Sequence, residues 1–271
     1  MTQDTNDKTK QLSALIQAMN PLVVAFSGGL DSSYLLAMSI AAIGKKNVIA
    51  VTAQSPVFSP FETQYIDAII KKTGVKHLFF HHPAMSKEKF IQNPPDRCYH
   101  CKKIIFSEIR NIADKLGIQH IAHGENSDDL KDYRPGSRAA KELDIKSPLT
   151  AAQLSKTEIS RCAKDIGLPN WNQSGMACLA TRIPYHSVIT MEKLTMIHQA
   201  ELLLFNMGFP ATRVRWIDGT AKIEFRNNHL PVFLKKVNQD MLLKQLKDIG
   251  YIDMIVENKR KKALNKGGTY E

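Results

Sequence analysis

No apolar run in the 271-residue chain approaches the about 18 residues that a bilayer-crossing helix needs, which excludes a helical membrane span. The opening Met1-Thr2-Gln3-Asp4 lacks the basic-then-apolar pattern of a secretory signal, so the expected location is the cytoplasm. Cysteine is scarce, and four thiols in such a chain read as reduced groups or metal ligands, not as a disulfide framework. No second close pair accompanies Cys98 and Cys101, which argues against a four-cysteine zinc site. Internal repeats and low-complexity tracts are missing. Acidic residues are too few to balance the basic ones, 26 against 37, and the resulting net charge of +11 favours anionic partners: ATP, a phosphorylated metabolite or RNA. Part of that excess lies in Lys259-Arg260-Lys261-Lys262 and Lys266, which read as a solvated tail without chemistry.

What is present is organised by hydrophobic period. Strand-like runs at 22–26, 48–52, 77–82 and 120–123 alternate with helix-like runs at about 32–43, 62–73, 102–116 and 155–166. This alternation predicts an α/β fold, a parallel sheet with helices on both faces and ligands at the carboxyl ends of the strands. Ser155-Lys156-Thr157-Glu158 has capping-box spacing, and Gly167 with Pro169 ends the same helix. A turn-rich connection follows, and then the pattern changes to helix, hairpin, helix and strand at about 191–207, 213–225, 231–249 and 252–256. The expected organisation is an ATP-binding domain over 1–168, a connection over 169–189, and a smaller α+β domain over 190–271 for substrate binding or oligomerisation.

Ser27-Gly28-Gly29-Leu30-Asp31-Ser32 follows the first strand and opens a helix. Adjacent glycines allow close backbone approach, and free amides with serine hydroxyls suit a polyanion. No lysine follows the loop, so it is not the GxxxxGK[ST] phosphate loop; Asp31 suggests a pyrophosphate bridged by magnesium. The segment resembles the loop of the ATP pyrophosphatase (PP-loop) superfamily, whose adenine nucleotide alpha hydrolase-like members cleave ATP between the α and β phosphates and transfer AMP. For ATP the candidates are Ser27, Gly28, Gly29, Asp31 and Ser32 at the pyrophosphate, with Thr52 and Gly124 at the same sheet edge flanking the adenosine.

Cys98-Tyr99-His100-Cys101 lies just before the helix expected at Lys102, where the helix start and Lys102-Lys103 would favour thiolates. Cys178 sits in Cys178-Leu179-Ala180-Thr181-Arg182-Ile183-Pro184-Tyr185, and Cys162 reads as a packing residue inside a helix. Three separated thiols suit a 4Fe-4S cluster with one open iron. In the second domain, Asp218-Gly219 is a two-residue hairpin turn. Its register sets Arg213 opposite Glu224 and Arg215 opposite Lys222 on one cationic surface, with Val214, Trp216, Ile223 and Phe225 toward the core. Such a face can bind a phosphate, or be an ordinary wet sheet.

SGGLDS, the Asp96-Arg97-Cys98-Tyr99-His100-Cys101 stretch, Gly124-Glu125-Asn126-Ser127-Asp128-Asp129 with Tyr133-Arg134-Pro135-Gly136, and the Cys178 segment together resemble LarE-type sulfur transferases through nearly the whole chain. The resemblance implies adenylation of the carboxylates of pyridinium-3,5-biscarboxylic acid mononucleotide and their conversion to thiocarboxylates for the nickel-pincer nucleotide of lactate racemase. It implies Cys98, Cys101 and Cys178 as ligands of a 4Fe-4S cluster that carries hydrosulfide from a sulfide donor. Sacrifice of the Cys178 sulfur is the mechanistic alternative. By position, Arg182, Arg213 and Arg215 resemble the substrate-phosphate site, and Glu201 and Glu224 resemble carboxylates of a divalent-metal site. No further acidic residue lies between Glu224 and Pro231, so that metal site is expected to be altered or missing. A homo-oligomer is expected. A tRNA thiolase of the same superfamily, or a nucleotide or cluster sensor without turnover, are the competing functions.

Overall fold

A computed structural model describes residues 3–58, 60–131, 135–173, 178–210, 212–225 and 229–258. Tyr133, Arg134 and the basic residues from Lys259 to Lys266 lie outside the described residues. The chain forms two compact units, Met1–Cys178 and Leu179–Glu271.

In the first unit the elements run α1 (Gln3–Gln17), β1 (Leu22–Ala25), α2 (Leu30–Ile43), β2 (Val48–Gln54), α3 (Pro60–Thr73), β3 (Lys76–His81), α4 (Glu88–Ile91), α5 (Arg97–Lys115), β4 (His120–His123), α6 (Pro135–Glu142), α7 (Pro148–Ala151) and α8 (Lys156–Asp165). The sheet is parallel in the order β3-β2-β1-β4, with Leu22 opposite Val48 on one side and His120 on the other. Alternation along β1 explains why both faces need covering. Leu22 and Val24 join a core with Leu12 of α1, Leu35 of α2, Ile69 of α3 and Cys162 of α8. Val23 faces the other way, toward Phe106 and Ile109 of α5 and Ala139 of α6. The parallel sheet with helices on both faces is therefore present as the alternation predicts.

The strand order reverses direction between β1 and β4, creating a crevice beyond their carboxyl ends. The SGGLDS loop occupies that position. Two helix starts near it have local causes. At α8, the Ser155 hydroxyl accepts from the Glu158 amide while the Glu158 carboxylate accepts from the Ser155 amide, so the capping box is complete. At α5, the helix begins at Arg97, not near Lys102, because Asp96 follows Pro94-Pro95 and its carbonyl already accepts from Tyr99 and His100. Cys98 and Cys101 consequently lie inside the first turns, three residues apart on one helix face.

In the second unit, α9 (Met191–Asn206) precedes the hairpin β5 (Arg213–Ile217) and β6 (Thr220–Phe225). The helices α10 (His229–Lys236) and α11 (Gln239–Ile249) and the strand β7 (Asp253–Asn258) complete it. The sheet order is β5-β6-β7, antiparallel then parallel. The single helix expected at 231–249 is two, because the Asn238 side chain accepts from the Met241 amide and starts α11 afresh. Phe209, Phe225 and Phe233 stack edgewise in the core beneath this sheet.

Candidate functional site

Gly28 has φ of 75°, a left-handed conformation that its missing side chain permits, and the loop ends on Gly29 as the N-cap of α2. The serine hydroxyls fasten this turn from inside. Ser32 and Ser33 each donate to the Gly29 carbonyl, at 3.0 and 2.8 Å, and Ser32 Oγ lies 3.1 Å from Ser27 Oγ. From farther along the chain, the Asn170 amide donates to the Gly28 carbonyl at 2.9 Å and to Ser33 Oγ at 3.0 Å. Asn170 is fully buried. It ties the beginning of the 169–189 connection to the nucleotide loop.

Asp31 stands in the first turn of α2. Its Oδ2 accepts from Lys156 Nζ at 2.7 Å and from Asn126 Nδ2 at 3.3 Å, whereas its Oδ1 is buried without a hydrogen-bond partner. A buried, unpaired carboxylate oxygen is costly unless a ligand completes it, and magnesium takes one carboxylate together with substrate phosphates. The donor present fits that ion. Lys156 had no functional signal in the sequence because its four-residue segment reads fully as a capping box. Asn126 is itself clamped, its Oδ1 accepting from the amides of Asp128 and Asp129 at 3.0 and 3.3 Å. Asp128 in turn accepts from the Lys156 backbone amide at 2.9 Å. The 124–129 segment thus fixes both Asp31 and the helix start that delivers Lys156.

Thr52 and Gly124 lie at this sheet edge in structural contacts. The Thr52 hydroxyl donates to the Phe26 carbonyl at 2.7 Å, holding the loop against β2. A Cβ on Gly124 would stand 2.6 Å from the Ser32 nitrogen, so glycine is required for β4 to pass the start of α2.

The cysteines form a second group on the first unit. Cys98 is exposed, Cys101 and Cys178 are half-buried, and Cys162 is buried in the core as expected. Burial pushes the Cys101 thiol up to about 12, and the nearby charges of Cys178 and Cys98 push the same way against Lys102 and Arg97. The expected bias toward thiolate is therefore overturned at Cys101 in the metal-free chain, because desolvation outweighs the cations. Among the described residues, no three His, Cys, Asp or Glu side chains converge as ligands of a single ion. A cubane differs in binding its thiolates on separate irons, and Cys98 and Cys178 lie near enough to Cys101 for their charges to bear on its thiol. Their chemistry fits that group. Met176 and Ala177, before Cys178, lie outside the described residues. His82 approaches this group with Nε2 3.3 Å from Cys101 Sγ.

The second unit has its own charged cluster. The predicted hairpin register is present, with Arg213 opposite Glu224 and Arg215 opposite Lys222. Arg182 forks onto Glu201, Nε to Oε1 at 2.8 Å and Nη2 to Oε2 at 3.3 Å, and Glu201 Oε1 also accepts from the Val214 amide at 3.1 Å. Both side chains are buried. Arg215 donates through Nε to Glu224 Oε1 and through Nη1 to the Thr181 carbonyl. Glu224 Oε2 is buried without a partner. Among these carboxylate oxygens, Glu201 Oε1 and Oε2 and Glu224 Oε1 are engaged by the arginines, which leaves Glu224 Oε2 for any further ligand. The hairpin spacing could indicate the shared face, but not that arginine and carboxylate would satisfy each other.

No family model matches the chain. It is 32% identical over 244 residues to the pyridinium-3,5-bisthiocarboxylic acid mononucleotide synthase of Lactiplantibacillus plantarum, covering 90% of this chain and 88% of that protein. The chain belongs to the LarE family. It is likewise 32% identical to an uncharacterized protein of Synechocystis, over 96% of this chain and 97% of the other. An uncharacterized protein of Methanocaldococcus jannaschii is 30% identical over 85% of this chain and 86% of its own length.

Proposed function

We propose that this LarE-family protein is an ATP-dependent sulfur transferase acting on pyridinium-3,5-biscarboxylic acid mononucleotide. The relationship to the named synthase over most of both chains carries this reading. The first unit would bind ATP and the second the substrate. Gly28, Gly29 and the α2 amides would receive the pyrophosphate, with Ser27 and Ser32 shaping the turn. Asp31 would hold magnesium through Oδ1, and Lys156 would neutralise charge beside it. Adenylation replaces a poor carboxylate oxygen leaving group by AMP, which sulfur can then displace at the acyl carbon. Arg182, Arg213 and Arg215 would take the substrate phosphate. For Arg215 the anion must compete with Glu224, whose pairing keeps the guanidinium oriented while the site is empty.

Cys98, Cys101 and Cys178 would hold a 4Fe-4S cluster, which when bound supplies sulfide to the activated carboxylate. Burial around Cys101 makes the metal-free thiol a poor nucleophile. A cytoplasmic, oligomeric enzyme fed by a separate sulfide donor completes the proposal. Among the described residues, no helix is long and apolar enough to cross a membrane.

The test is anaerobic reconstitution with iron and sulfide, followed by mass spectrometry of the mononucleotide after ATP is added. Several thiocarboxylates per chain, with AMP and pyrophosphate released, are expected. One product at most, with Cys178 converted to dehydroalanine, would replace cluster delivery by sacrifice. Cys178→Ala should retain pyrophosphate release and lose sulfur transfer; a folded variant that no longer adenylates would contradict this division of roles.

A further inference from the structure

His82 stands one residue beyond β3, at the carboxyl edge of the sheet, and its backbone amide donates to the Gln54 carbonyl at the end of β2 at 2.8 Å. The side chain is 1% exposed. Its ring stacks on Phe58, with centroids 6.2 Å apart and planes 15° from parallel, so both backbone and ring are held. Nε2 lies 3.3 Å from Cys101 Sγ, whereas the buried Nδ1 has no hydrogen-bond partner.

In a neutral imidazole the position of the single proton follows from the partners. A proton on Nδ1 would leave a buried donor unsatisfied and an Nε2 that can only accept a hydrogen bond, which a thiolate at Cys101 cannot supply. A proton on Nε2 makes a hydrogen bond to sulfur and leaves only an acceptor unpaired, the cheaper arrangement. We propose that His82 is a positioning residue of the cysteine site, its Nε2–H donating to the Cys101 sulfur and fixing that sulfur's orientation and electron density.

The functional consequence rests on the cluster reading of Cys98, Cys101 and Cys178. A hydrogen bond to a ligating thiolate stabilises the more negative, reduced state and raises the reduction potential. It also offsets the cost of holding Cys101 as a thiolate in a dry setting. None of the sequence spacing around His81-His82 indicates this, since Cys101 lies 19 residues away on a different element.

Two measurements separate this inference from the reading beneath it. In the metal-free chain, long-range proton–nitrogen NMR should show His82 as the Nε2–H tautomer, with its Nε2 resonance displaced in Cys101→Ala. An Nδ1–H tautomer would overturn the proposal. In the reconstituted protein, His82→Phe keeps the ring stack on Phe58 and removes the donor. The variant should bind as much iron as the wild type, with its reduction potential moved to more negative values. An unchanged potential at wild-type iron content, or a folded variant holding no iron, would overturn it, the latter by making His82 a ligand. A wild type that takes up no iron would defeat the cluster reading instead, and the metal-free spectrum would still decide the hydrogen bond.

Discussion

Lys156 Nζ lies 2.7 Å from Asp31 Oδ2, closing a contact between the first turns of two helices separated by 125 residues. The cation arrives from α8, on which the capping box and Asp128 fix the first turn. A loop that lacks its own lysine thus acquires one through the fold.

Lys156→Met should leave the fold intact, because the lysine is partly exposed, and weaken ATP use by about tenfold to a hundredfold, the loss of one hydrogen bond to a charged group. Pyrophosphate release against ATP concentration is the measurement. Unchanged kinetics would remove Lys156 from the nucleotide site.

Gly124→Ala and Gly29→Ala should behave differently. The first places a Cβ 2.6 Å from the Ser32 nitrogen and 2.8 Å from its Cα, a backbone collision, and should cost about 1–3 kcal/mol or more with loss of ATP binding. At Gly29, φ is −71° and the nearest atom is Ser27 Oγ at 3.4 Å, so the change in stability should stay within about 1 kcal/mol. Urea denaturation distinguishes them.

Glu201→Ala would strand Arg182, whose side chain is buried, without its carboxylate. A loss of about 3–5 kcal/mol is expected, the range for breaking one partner out of a buried pair. Glu201→Gln should recover part of it by keeping an acceptor for the Val214 amide. Equal stability of the two variants would show that the fork, not the backbone contact, carries the effect.

Burial opposes ionisation of Glu158, but hydrogen bonds from Lys8 and Ser155 outweigh it and lower the carboxyl to about 2, against a reference of 4.5. A carboxyl depressed on folding contributes stability that is fully present above the unfolded value and lost as pH falls through the folded one. The stability gap between wild type and Glu158→Gln should therefore be constant above about pH 5 and narrow progressively below it. Urea titrations at a series of acidic pH values measure the gap; one that widens on acidification would contradict the assignment.

Alkylation of the metal-free chain should reach exposed Cys98 before half-buried Cys101, and Cys162 only on unfolding. Peptide mass spectrometry over time orders the sites, and early labelling of Cys162 would contradict its place in the core.

The order of strands and helices was legible in the sequence because each depends on local pattern. The continuous apolar run of β1, the Ser155 capping box and the Asp218-Gly219 turn are satisfied by residues within a few positions, so the parallel unit and the hairpin register could be read directly. Chemistry-bearing residue types were legible for the same reason: glycines, Asp31 and cysteines stand in compact segments. Local pattern misplaced the start of α5 and joined α10 to α11, where Asp96 and Asn238 end one conformation and begin another through backbone contacts.

Only the tertiary structure decided which groups complete one another. Hydrogen bonds and ion pairs act over about 3 Å of space and are indifferent to sequence distance. Asp31 therefore finds Lys156 and Asn126, Gly28 finds Asn170, Cys101 finds His82, and Arg182 finds Glu201. The sequence determined the elements and the reactive residues they carry; the packing of those elements determined which oxygen of Asp31 stays unpaired, which thiol is desolvated, and which arginines are already matched by carboxylates.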